Sequence, residues 1–187
     1  MLRILLAVAI SSSAAFAADD GPGPNLVIDV EGEARGRVVI DLFEDVAPAH
    51  VEQIMALVEE GAYDGVVFHR VIEGFMAQTG DVQFGVAGGD LRRVGTGGSS
   101  RPDLPAEFSD IPFDRGVVGM ARAQHPDSAN SQFFIMFQDG HFLNGQYTVV
   151  GRVIEGMEVV DAIKRGTGPN GAVTGAPDVM IDASIER

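Results

Sequence analysis

The sequence predicts a single, mainly β domain, a barrel or sandwich of about eight short strands with two helices. Three observations predict it. Short runs of β-branched and aromatic residues recur along the chain, most of them closed by glycine-bearing turns. Only two stretches carry helical spacing. After the first two dozen residues no linker or internal repeat divides the chain, so 187 residues, 45% of them hydrophobic, are enough for one core.

The elements follow in order. Leu26–Val30 and Arg37–Leu42 are strand-like and are joined by a polar, glycine-containing loop, a hairpin signal. Pro48 suits the first turn of a helix, in which Val51, Ile54, Met55 and Val58 share one face, and Gly61 is a natural stop. Val66–Ile72 and Phe75–Gln78 are the next strands, flanking Glu73-Gly74. Residues 82–104 are rich in glycine and lack apolar periodicity; long loops of this kind in compact domains are often functional. Val117–Ala123, Phe133–Phe137 and Thr148–Ile154 are further strands. Met157–Lys164 is a short helix, and Val179–Ile185 alternates as a closing strand.

Composition removes several function classes. The formal net charge is -14, which repels phosphates and disfavours binding to nucleic acid. The plain reading of that acidity is solubility, with a preference for basic clients as the alternative. Cysteine is absent, so neither thiol chemistry nor a lipid-modified cysteine is available. The four histidines, at 50, 69, 125 and 141, show no ligand spacing, which argues against a metal site. Gly166-Thr167-Gly168-Pro169-Asn170-Gly171 has the spacing of a dinucleotide fingerprint, but no helix and distant acid follow it; it is read as a turn.

The N-terminus has the layout of a secretory signal peptide. Arg3 precedes the apolar run Ile4–Ile10, and Ala15-Phe16-Ala17 supplies a small-residue cleavage site. The run is too short to span a bilayer as a helix. Residues 1–17 are therefore expected to be removed, with periplasmic or secreted localisation. Removing Arg3 would leave 12 cations against 27 acids, a formal charge of -15. Residues 18–24 are expected to be a flexible leader and 25–187 the functional domain. No membrane span is expected after cleavage.

Three blocks carry the chemistry. The first is FHRVIEGFMAQTGD, Phe68 to Asp81, in which the cation Arg70 stands among Phe75, Met76 and Gln78. A permanent charge beside apolar side chains is costly unless something uses it. The second is GVVGMARAQHPDSANSQFFIMF, residues 116–137, and the third HFLNGQYTVVGRVIEGMEVVDAI, residues 141–163. In order and spacing these resemble the cyclophilins, the peptidyl-prolyl cis–trans isomerases, over roughly residues 25–186.

The resemblance implies a closed eight-stranded antiparallel barrel capped by two helices, with a packed interior and a substrate groove on its outer face. It implies Arg70 as the catalytic residue. It implies Phe75, Met76, Phe134 and Leu143 as a proline pocket, and Gln78 and Gln132 as polar lining. Ala121, Arg122 and Ala123 match the edge that meets the substrate backbone. Phe142 falls where many eukaryotic members carry Trp, and Tyr147 where many carry His. Members with that Trp resemble the strong binders of cyclosporin, so Phe142 predicts weak binding. By alternation Phe68 and Phe133 are assigned to the core and His69 to a structural role.

The chemistry itself fits those residue types. Rotation about an X–Pro bond breaks amide resonance, against a barrier of ~18–20 kcal/mol, and makes or breaks no bond. Such a catalyst needs no cofactor, metal or nucleophile. It needs a dry pocket for the proline ring and a donor that favours the twisted amide. Expected partners are proline-containing segments of client proteins, and the expected state is a monomer. Two rivals remain: a barrel of this kind that holds proline segments without turnover, and a hollow barrel carrying a small apolar ligand.

Overall fold

The computed structural model describes residues 20–187; the expected signal segment, 1–17, lies outside the described residues. Nine strands form one antiparallel sheet: β1 (Asn25–Glu31), β2 (Arg35–Leu42), β3 (Val66–Val67), β4 (Arg70–Ile72), β5 (Met76–Thr79), β6 (Val117–Met120), β7 (Phe133–Met136), β8 (Val149–Glu155) and β9 (Val179–Glu186). Their order is β3-β9-β1-β2-β8-β6-β7-β5-β4. Two α-helices accompany it, α1 (Pro48–Glu59) and α2 (Met157–Ala162).

The count of nine rather than eight has a physical reason. The run Val66–Ile72 changes partner midway. Its first half pairs with β9 and its second with β5. Between them the Phe68 N–H bonds the Asp178 carbonyl and the His69 N–H bonds the Gln78 carbonyl. One continuous segment thus joins both edges of the curled sheet. The expected Val117–Ala123 strand is also shorter. After Met120 the chain leaves the ladder for a turn closed by Ala123 N–H to Ser128 Oγ, 3.0 Å.

The interior is filled. Ile28, Ile40, Phe68, Val118, Met120, Phe133 and Ile135 belong to one contiguous buried cluster, onto which α1 lays Val51, Ile54 and Leu57. That packing removes the hollow-barrel rival. A second cluster lies on the other face of β5, β6 and β7 and contains Met76, Phe113, Val117, Phe134, Met136 and Leu143. Strand alternation explains the division: in β7 Phe133 and Ile135 face inward while Phe134 and Met136 face outward.

The leader is not free over its described part. The Gly21 N–H donates to Asp41 Oδ2 at 3.1 Å, and Leu42 N–H donates to the Pro24 carbonyl at 3.0 Å. Residues 20–24 are thereby held against the end of β2.

Candidate active site

The outer face of β4, β5, β7 and β6 sets the site by register alone. Arg70 pairs with Gln78, Gln78 with Phe134, and Phe134 with Gly119. Residues directly opposite in antiparallel strands put their side chains on the same face. A cation, an amide, an aromatic ring and a gap therefore stand in one row. The gap is required, because a Cβ on Gly119 would come within 2.6 Å of both the Phe113 and Phe134 rings. Phe113 stacks beneath Phe134 with centroids 5.8 Å apart.

Around this row lies a pocket of about 240 Å³, lined by Arg70, Phe75, Met76, Gln78, Ala121, Arg122, Phe134, Phe142, Leu143 and Tyr147. Met76, Phe134 and Leu143 are buried and give an apolar floor. The Tyr147 ring meets Phe134 edge-on at 5.8 Å. Phe142 is 66% exposed and tilts over Phe75 at 5.5 Å, forming an outer wall. The Arg122 guanidinium lies 4.5 Å from the Tyr147 ring centroid and donates to the carbonyls of Ala123, Gln124 and Gln146. Its N–H groups are thus engaged by backbone acceptors at the pocket's edge.

Arg70 is the group with chemical potential. Its Nη1 donates to Gln78 Oε1 at 3.0 Å. Because Arg can only donate, the Gln78 amide must present its oxygen there and donate onward, to Gln132 Oε1 at 2.9 Å. Gln132 in turn donates to the Gly97 carbonyl at 2.8 Å. Donation runs in one direction, from the guanidinium through the two amides to the Gly97 carbonyl. Among the described residues no carboxylate is within ion-pair distance of Arg70, whereas Arg37, Arg92, Arg101, Arg115 and Arg165 each have one. Burial lowers the Arg70 pKa, partly opposed by Tyr147, yet an arginine stays protonated. Neighbouring His69 is buried, and burial lowers its pKa also, so it adds no charge.

A second, polar pocket of about 520 Å³ adjoins the first and shares Gln78, Ala121 and Arg122 with it. Its other walls include Thr96, Gly97, Ser99, Asp103, Ala123, Asn130 and Gln132. Every residue expected from the sequence therefore lies at one of two adjoining pockets. The sequence reading missed the Thr96–Asp103 wall as individual residues, although it marked 82–104 as a functional loop. It also missed Asn130, Phe113 and Asn170, whose carbonyl and Oδ1 accept from Arg70. Phe68 and Phe133 are core, as assigned.

The site thus combines a filled, curled antiparallel sheet with an arginine that no carboxylate neutralises beside an apolar pocket on its outer face. Comparison with known proteins gives the family. The model of the cyclophilin type peptidyl-prolyl cis-trans isomerase/CLD family matches residues 27–185. The chain is 66% identical over 154 residues to a probable peptidyl-prolyl cis-trans isomerase of Brucella suis, covering 81% of this chain and 78% of that one. It is 37% identical over 159 residues to peptidyl-prolyl cis-trans isomerase B of Escherichia coli, covering 79% and 92%. Among solved structures it is similar to a Cryptosporidium parvum cyclophilin type isomerase in the presence of the dipeptide Ala-Pro, with TM-score 0.73, 25% identity and coverage of 87% and 99%. The chain belongs to the cyclophilin-type peptidyl-prolyl cis–trans isomerases and is an isomerase enzyme.

Proposed function

We propose that this isomerase acts on exported proteins, and that Arg70 speeds X–Pro rotation without any covalent step. The proline ring enters the floor of Met76, Phe134 and Leu143. As the amide twists, the proline nitrogen becomes pyramidal and regains its lone pair. A guanidinium N–H donated to that nitrogen, or to the polar groups around it, is stronger in the twisted state than in the planar one. The apolar floor displaces water from around the proline ring, so the interaction is less screened than in bulk water. Gln78, Gln132 and the 121–123 edge hold the flanking substrate backbone. The single observation that carries this reading is the uncompensated charge of Arg70 at the rim of an apolar pocket. A site built for binding alone could use the pocket without it.

Export is supported by Arg3, the Ile4–Ile10 run and the Ala15-Phe16-Ala17 site. Mass analysis of protein recovered outside the cytoplasm should give Ala18 as the first residue; an intact Met1 there would refute cleavage.

A protease-coupled assay on a short proline peptide tests the mechanism. Protein beginning at Ala18 should be active after chelator treatment. Arg70→Ala should lower kcat/KM by ~10²–10³. Arg70→Lys should also be poor, since a point ammonium cannot reproduce the guanidinium fork. Near-normal turnover in Arg70→Ala would overturn the assigned role.

A further inference from the structure

We propose that Asn170 is a positioning residue for Arg70: it fixes the guanidinium by two hydrogen bonds while leaving its charge unneutralised. The inference rests on the proposed catalytic role of Arg70. It gives the Gly166–Gly171 turn a function that its spacing alone did not reveal.

Asn170 is the one described non-glycine residue with positive φ, at φ 55° and ψ 29°. Left-handed backbone costs any L-residue energy, and asparagine is among those that tolerate it best. Strain of this kind persists only where the surroundings impose it, and it gathers at functional sites. Here both acceptors of the residue reach the same group. The Asn170 carbonyl accepts from Arg70 Nε at 3.0 Å, and Asn170 Oδ1 accepts from Nη2 at 3.2 Å. Nε and Nη2 form one edge of the planar fork, so the pair fixes its plane as well as its position.

The turn is fastened to the strand that carries Arg70 on both sides. Gly166 N–H bonds the Val71 carbonyl at 2.8 Å, and Val173 N–H bonds the His69 carbonyl at 2.9 Å. Gly171 presses on β4 so closely that a Cβ would lie 2.3 Å from Ile72 Cγ1. The two acceptors are therefore held at a set distance from Arg70 by backbone contacts.

The donor inventory shows what is left for a substrate. A guanidinium has five N–H groups. Asn170 takes two and Gln78 one. One Nη1 N–H then faces only the Met76 sulfur, at 3.9 Å, and one Nη2 N–H has no partner among the described residues. A carboxylate in place of Asn170 would hold the fork equally well but would quench the field it offers. The neutral amide holds without quenching.

Asn170→Gly tests this, because glycine accepts the backbone conformation and removes the side chain with its Oδ1 while keeping the carbonyl acceptor. We expect kcat to fall roughly 3–10-fold with KM and thermal midpoint little changed. In an Arg70→Ala background the same change should cost nothing further. The ¹⁵N–¹H signals of Arg70 Nη2, which Oδ1 should protect in the wild type, should exchange faster in Asn170→Gly, whereas Nε keeps its bond to the residue 170 carbonyl. Asn170→Asp should retain the protected signal yet lose turnover. If Arg70→Ala is crippled while Asn170→Gly keeps full kcat and a protected Nη2 signal, the positioning role is overturned alone. If Arg70→Ala is fully active, the catalytic reading falls and this inference falls with it. Full turnover in Asn170→Asp would overturn the need for a neutral acceptor.

Discussion

The apolar pocket at Arg70 and the polar pocket beside it share Gln78, Ala121 and Arg122, yet they are held by opposite means. The first sets its cation and most of its apolar floor on β4, β5 and β7, backed by β6, with loop residues closing its outer side. Register aligns its side chains and the packing of Phe113, Phe134 and Met136 supports them. The second is built mostly on loops, and two polar side chains, one buried and one half-buried, staple those loops. Asp81 is fully buried, and its two oxygens accept from the N–H groups of Gln83, Phe84, Gly95 and Gly97. Asn130 Oδ1 accepts from both Ser99 groups, and its Nδ2 donates to the Arg101 carbonyl and Asp103. A strand-built wall should therefore fail through volume, and a loop-built wall through a lost acceptor.

The largest expected effect breaks the loop wall. Asp81→Ala takes a buried carboxylate from four part-buried N–H groups, and we expect a loss of ~3 kcal/mol in urea unfolding. Amides of 82–97 should lose protection in hydrogen exchange while those of β5 and β7 keep it. Turnover of a short peptide should fall less than tenfold, since only the Gly97 end of the amide chain to Arg70 is disturbed. Retained protection across 82–97 would show that Asp81 is not the organiser.

Gly119→Ala breaks the strand wall instead. The added methyl meets two packed rings, and overpacking of this sort costs roughly 1–3 kcal/mol. The Phe134 ring should be displaced toward the proline pocket, raising KM. Amides of 82–97 should be unaffected. If they lose protection as well, the two pockets are one cooperative unit and the contrast between them dissolves.

The same contrast governs what could be read in advance. Arg70, Gln78 and Phe134 were legible because alternation and order within strands fix which face a residue takes. Val66–Ile72 was legible as one β run, but its change of partner at Phe68-His69 was not, since that depends on Asp178 at the other end of the chain. Thr96, Ser99 and Asp103 were invisible one by one because a loop residue's position is set by distant acceptors, here Asp81 and Asn130. Asn170 was missed for a related reason. A Gly-Pro-Asn-Gly turn looks the same whether it faces solvent or an arginine 100 residues away in sequence.

Phe142 lies between the two regimes, on a short 3₁₀ turn from His141 to Leu143 that borders the strand pocket. Its ring is mostly exposed and offers no donor. Phe142→Trp should tighten cyclosporin binding by about 1–3 kcal/mol, from one hydrogen bond and added area. Titration in the isomerase assay checks this. Equal inhibition of both forms would remove Phe142 from the ligand-facing wall.

The smallest effect concerns Glu107, in the irregular segment before β6, and it is the one that pH should reveal. Ala47, which precedes α1, has no side-chain cap. Glu107 takes that place from across the fold, accepting from the N–H groups of Ala49 and His50 at 3.2 and 3.1 Å and from the His50 ring at 2.5 Å. Its own N–H donates to Thr148, next to Tyr147 of the proline pocket. Burial alone would raise the Glu107 pKa; the bonds from His50 and Ala49 outweigh it and hold the carboxyl below its usual value. A depressed carboxyl stabilises the fold above its unfolded pKa, about 4.3, and loses that contribution as pH falls through the folded value. Glu107→Gln keeps an acceptor but no charge, so it should cost about 1 kcal/mol at pH 7. Urea midpoints measured from pH 7 to pH 3 should show the gap between wild type and Glu107→Gln closing below about pH 4. A gap that stays constant to pH 3 would mean that the carboxylate's charge contributes nothing, and that this loop, unlike its neighbour at Asp81, is held by shape alone.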